Sequence, residues 1–95
     1  MRVQTELRRA IETSIAPARL DIVDESHRHA GHAGSREAGE THFRVRIVAA
    51  AFEGKTQVAR QRMVYAALDS LMRTDIHALQ LQTLTPAEAG DLADG

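Results

Sequence analysis

Residues 41–72, THFRVRIVAAAFEGKTQVARQRMVYAALDSLM, change hydrophobic period partway along, and this limits the possible folds more than any other stretch. Phe43, Val45, Ile47 and Ala49 alternate with His42, Arg44, Arg46 and Val48. Strict period two predicts a half-buried β-strand. Beyond Phe52-Glu53-Gly54-Lys55 the period becomes helical, and Val58, Val64, Tyr65, Leu68, Leu71 and Met72 are expected on one buried stripe. A strand that feeds a helix through a short Gly-bearing turn packs that helix back on its own sheet.

The rest of the chain is arranged around this unit. Residues 2–16 predict a helix, with Val3, Leu7, Ala10, Ile11 and Ile15 at helical spacing and Pro17 as its stop. Leu20 and Ile22 alternate with Asp21 and Val23 in a short strand ending near Asp24. Residues 26–40, SHRHAGHAGSREAGE, hold no large apolar side chain and read as a mobile surface loop. A loop this long in so small a chain is either functional or a tolerated insertion. Residues 76–84 predict a third strand, with His77, Leu79, Leu81 and Thr83 on one face and His77 at its rim. Thr85-Pro86-Ala87-Glu88 is a capping box with Pro at the first helical position; the helix it opens is expected to fade by Gly90 into a frayed tail, 91–95.

The expected order is αββαβα, an α+β fold in one domain over 1–95 with a core of about 2–90. The first two strands pair antiparallel, and the third returns parallel to the second because a full helix lies between them. This gives a three-stranded mixed sheet with helices on one face. With aromatics at 3% and hydrophobic residues at 43%, aliphatic packing carries the core.

Composition removes several function classes. The net charge of −1 gives no global pull toward nucleic acid or an acidic membrane. The absence of Cys excludes disulfides and thiolate ligands from this chain. No apolar run approaches the roughly 20 residues that span a bilayer. The N-terminus lacks a secretory apolar core, and Glu6 and Glu12 speak against a transit peptide, so a cytoplasmic location without membrane contact is expected. No nucleophile-elbow, Walker-type or dinucleotide glycine pattern occurs, and no enzyme activity is expected.

Two features remain as candidates. The five histidines are His27, His29, His32, His42 and His77, and their spacing matches no zinc pattern, so the plain reading is solvated or structural imidazole. Between His42 and Arg62 stand five basic residues (Arg44, Arg46, Lys55, Arg60, Arg62) against the single acid Glu53. These form either a phosphate-binding patch, with Arg60 and Arg62 flanking the helical stripe, or the ordinary solvated faces of a strand and a helix. No aromatic interleaves them, so stacking on single-stranded bases is not expected.

The ordered set Asp24-Glu25-Ser26-x-x-His29, Glu40-Thr41-His42-Phe43, Phe52-x-Gly54, Arg60-x-Arg62-x-Val64-Tyr65, Ile76-His77-Ala78-Leu79 and Thr83-x-Thr85-Pro86 resembles the BolA family over about residues 7–88. That family's fold is similar to the class II KH fold but lacks the GxxG clamp, and Gly54-Lys55-Thr56-Gln57 likewise has no second glycine. The resemblance implies pairing with a monothiol glutaredoxin around a bridging [2Fe–2S] cluster, shared with glutathione and absent from the chain alone. By position the ligands from this chain would be His77 and His29, with His32 or His27 as alternatives in the loop. Imidazole ligation suits a chain without Cys and raises a cluster's potential. The resemblance also implies DNA-binding regulation as an alternative, through Arg44, Arg46, Lys55, Arg60 and Arg62. The chain alone is expected to be a monomer or weak homodimer. One departure is Arg60-Gln61-Arg62 where the family usually has Arg-His-Arg; Gln61 is expected on the inward stripe, filling the volume of the usual His.

Overall fold

The computed structural model describes residues 2–26 and 41–94, with side chains through residue 90. Its order is α1 (Arg2–Ile15), β1 (Arg19–Asp24), β2 (His42–Val48), a 3-10 turn (Ala50–Phe52), α2 (Gln57–Ala67), α3 (Asp69–Thr74), β3 (Ala78–Leu84) and α4 (Pro86–Asp94). The sheet order is β1-β2-β3, with β1 antiparallel and β3 parallel to the central β2, as the alternation and the intervening helix predict.

Alternation along β2 decides where the core lies. Phe43, Val45 and Ile47 are at most 2% exposed and join Val3, Leu7, Ile11 and Ile15 of α1 and Val64, Leu68 and Leu71 of the helical segment. Leu20, Ile22, Leu79 and Leu81 close the margins of the same face. The other face carries Asp21, Val23, Arg44, Arg46, Gln80 and Gln82 in cross-strand register.

Helix α1 ends at Ile15, one residue short of the predicted span 2–16. Ala16 takes φ 52 and its N–H still reaches Glu12 O at 3.1 Å, so the turn closes in the left-handed region ahead of Pro17. The turn after β2 uses Gly54 at φ 77, which needs the freedom of a glycine.

The long helix differs from its prediction in three ways. It breaks into α2 and α3 at Leu68 (φ −103, ψ 11), where no Gly or Pro signals a break. Its buried stripe is Arg60, Val64, Leu68 and Leu71, while Val58 and Tyr65 are exposed. Val58 lies roughly 120° around the helix from Val64, so the two cannot share one inward stripe. Gln61 also faces solvent, and therefore does not fill an interior volume.

The capping box forms as expected. The N–H of Glu88 donates to Thr85 Oγ1 at 3.2 Å, and that of Thr85 donates to Glu88 Oε1 at 2.8 Å. Helix α4 nevertheless runs through Gly90 to Asp94 rather than fading. A glycine costs about 1 kcal/mol inside a helix, which weakens it without forbidding it.

Candidate functional site

Phe43 of β2 pairs with Leu79 of β3, and His42 pairs with Ala78. This parallel register brings His77, just before β3, beside His42, the first residue of β2. The two rings stand edge to face with centroids 6.3 Å apart. Backbone contacts fix the approach: the N–H groups of His77 and Ala78 both donate to Thr41 O, at 2.8 and 3.2 Å. Thr41 Oγ1 lies 2.8 Å from His42 Nδ1 and holds one edge of that ring. Such outer contacts orient imidazoles for ligation.

Ser26 ties the end of β1 to the start of β2. Its Oγ accepts the N–H of Thr41 at 2.8 Å and of His42 at 2.9 Å, while its own N–H donates to Asp24 Oδ1 at 2.9 Å. The N–H of Glu25 donates to His42 O at 2.8 Å. Ser26 is only 8% exposed, so these are enclosed hydrogen bonds rather than solvent-traded ones. Residues 26 and 41, which flank the 27–40 segment, therefore meet at the His42 end of the sheet. The predicted loop ligand His29 and its alternatives His27 and His32 lie outside the described residues.

His77 is exposed. Among the described residues no group of three or more His, Asp or Glu side chains is arranged to hold a metal ion. Among the described residues His77 is the exposed imidazole at this end of the sheet, and His42, engaged by Thr41, stands beside it; the chemistry of His77 fits one imidazole ligand of a cluster and leaves the remainder to other groups. His42 was not among the predicted ligands. No local pattern signalled it, because only the parallel register that pairs Phe43 with Leu79 places residue 42 near residue 77.

The basic residues separate into three environments. Arg60 is 6% exposed and does not flank the stripe but belongs to it. Its Nε donates to Lys55 O at 3.0 Å, and Nη1 donates to Thr83 O at 3.2 Å and Glu88 Oε1 at 2.7 Å. Its guanidinium also stands 5.9 Å from the Phe52 ring centroid. Its burial and these internal acceptors turn the guanidinium inward, which removes it from the predicted patch. The Arg60 hydrogen bond, followed by the Thr85 N–H, holds the Glu88 carboxyl below its ordinary pKa. Arg44 and Arg46 share the helix-free sheet face, with Arg44 Nη2 3.3 Å from Glu25 Oε2. Lys55 and Arg62 are exposed on the helical side.

Comparison with known proteins follows the same architecture. The family model for BolA-like protein matches residues 11–88. The chain is 42% identical over 86 residues to SufE-like protein 1, chloroplastic/mitochondrial, of Arabidopsis thaliana, covering 86% of this chain but only 23% of that relative's length. It is 36% identical over 94 residues to the DNA-binding transcriptional regulator BolA of Escherichia coli, covering 99% of this chain and 86% of the relative. Among solved structures, BolA1 from Arabidopsis thaliana superposes with a TM-score of 0.79 at 41% identity, over 88% of this chain and 92% of that one. Sequence, topology and the ordered motifs agree, and the chain belongs to the BolA-like family.

Proposed function

We propose that the chain is a non-enzymatic adaptor that pairs with a monothiol glutaredoxin and completes a bridging [2Fe–2S] cluster, in iron–sulfur trafficking or iron sensing. The observation that carries this reading is the exposed His77, whose backbone N–H is held by Thr41 O beside His42, at the end of the sheet where residues 26 and 41 flank the 27–40 segment. In this proposal His77 supplies the rigid ligand and His29 the second, with His32 or His27 as substitutes; glutathione and the glutaredoxin thiolate supply the others. The cluster, when bound, contributes an electron-accepting centre whose potential imidazole ligation raises. His42, oriented by Thr41, stands against His77 and limits the directions that ring can take. The proposed location is cytoplasmic; among the described residues no helix is long and apolar enough to cross a membrane.

Reconstitution with a monothiol glutaredoxin, glutathione, iron and sulfide tests this. A coloured heterodimer is expected, and His77→Ala is expected to change its visible spectrum and the histidine-nitrogen couplings of the reduced cluster. An unchanged spectrum and unchanged couplings in His77→Ala would remove the ligand assignment.

A second reading is DNA-binding regulation. It is favoured by the similarity over 99% of this chain to the E. coli regulator and by exposed Lys55 and Arg62. Its phosphate contacts would come from Lys55 and Arg62 on the helical side; Arg60 is buried, and Arg44 and Arg46 stand on the opposite, helix-free face of the sheet. Binding to duplex DNA should weaken steeply with salt, and the double reversal Lys55→Glu/Arg62→Glu should flatten the slope by about two units of log Kd per log salt. A slope that the reversal leaves intact would count against this surface.

A further inference from the structure

We propose that the helix-free face of the sheet is a binding site for a small zwitterionic peptide held by its carboxylate, beyond any role in cluster assembly. Asp21, Val23, Arg44, Arg46, Gln80 and Gln82 line a trough of about 500 Å³ there, floored by the strands. The sheet register orders it in two rows. Asp21 stands beside Arg46, and Arg46 beside Gln82; Val23 stands beside Arg44, and Arg44 beside Gln80. Acid, guanidinium and carboxamide thus lie side by side across three strands. Small-ligand sites have volumes of roughly 300–1,000 Å³, and this trough falls within that range.

Arg46 gives the site its polarity. Its Nε is shut off from solvent and has no hydrogen-bond acceptor among the described residues. Its cross-strand neighbour Asp21 instead accepts from Arg19 Nε at 3.1 Å. A buried N–H without an acceptor is costly, and this one is closed to a ligand as well as to water; a carboxylate in the trough would instead meet the part of the Arg46 guanidinium that lines it, in charge-assisted form. The same face also carries Asp21, and Glu25 stands 3.3 Å from Arg44 Nη2. Those carboxylates repel a dianionic phosphate about twice as strongly as a monoanionic carboxylate. Asp21 is placed to attract a ligand ammonium, Gln80 and Gln82 offer donors and acceptors for a peptide group, and Val23 offers exposed apolar contact. Together these match a short peptide that carries an ammonium, an amide and a carboxylate.

Titration of the isotopically labelled full chain with the tripeptide glycyl-valyl-glutamate, followed by amide chemical shifts, tests the proposal. Saturable shifts are expected at Val23, Arg44, Arg46, Gln80 and Gln82. The methyl diester of the same peptide and inorganic phosphate should not produce them. Arg46→Gln should weaken binding about tenfold or more, the loss of one charge-assisted contact. Gln82→Glu, an exposed change that sets a negative charge beside Arg46, should abolish binding while the melting temperature holds. Arg62→Gln on the helical side should leave binding unchanged. Shifts confined to other residues, equal binding of the diester or phosphate, or undiminished binding by a folded Gln82→Glu would each overturn the site. Cluster formation with a glutaredoxin is unaffected by those outcomes, so the two readings fail separately.

Discussion

Two polar side chains with interior roles show how far a residue's type can mislead about its job. Arg60 looks like one member of a basic cluster, yet it ties α2 to the end of β3 and the start of α4. Arg60→Met removes hydrogen bonds worth about 1.5–3 kcal/mol for a charged donor, and denaturant unfolding should show a loss in that range. Ser26 looks like an ordinary loop residue, yet its hydroxyl is the acceptor for two successive backbone N–H groups. Ser26→Ala should cost about 1–3 kcal/mol and should speed hydrogen exchange at the Thr41 and His42 amides more than at Val45. Exchange rates left unchanged at those two amides would mean that the clasp is not formed in solution.

At the scale of elements, α2 separates what a helix buries from what it merely contains. Leu68→Ala, at a site 1% exposed, should destabilise by about 2–5 kcal/mol. Val58→Ala, at a site 58% exposed, should stay within about 0.5 kcal/mol of the parent. Equal losses at both positions in chemical unfolding would contradict the orientation of α2. The end of α1 gives a prediction of opposite sign. Ala16 holds a left-handed conformation that costs an L-residue about 1–2 kcal/mol, which glycine avoids. Ala16→Gly should therefore raise stability, by about 1 kcal/mol after the greater freedom of glycine in the unfolded chain is counted.

Acid response is a property of the whole molecule, because two carboxylates joining distant segments both have lowered pKa values. Asp75 is held down first by the Thr74 hydroxyl and then by Arg2, which links α3 to the start of α1. Glu88 is held down first by Arg60, linking α4 to α2. A carboxylate whose folded pKa is depressed stabilises the fold fully above its unfolded value and loses that contribution as pH falls through the folded value. The unfolded references are 3.8 for Asp75 and 4.5 for Glu88, so the contributions should drain away below those values. Thermal melts should show a melting temperature falling as pH drops below about 4.5, and Asp75→Asn/Glu88→Gln should flatten that fall. Both groups are open to solvent, so the effect should shrink in high salt.

Local patterns alone determined the elements and their order. Period two marked β2, helical spacing marked α1, Thr85-Pro86-Ala87-Glu88 marked the start of α4, and the helix between β2 and β3 required their parallel pairing. Each of these depends on interactions within a few residues or on a simple rule of connection. The inward side of α2, its break at Leu68 and the burial of Arg60 depend instead on which surfaces meet. Apolar residues occupy both sides of α2, so periodicity cannot select the buried one; contact with α1 and the sheet does. Likewise His42 and His77 are 35 positions apart in the chain, and only the register of two parallel strands places their rings together.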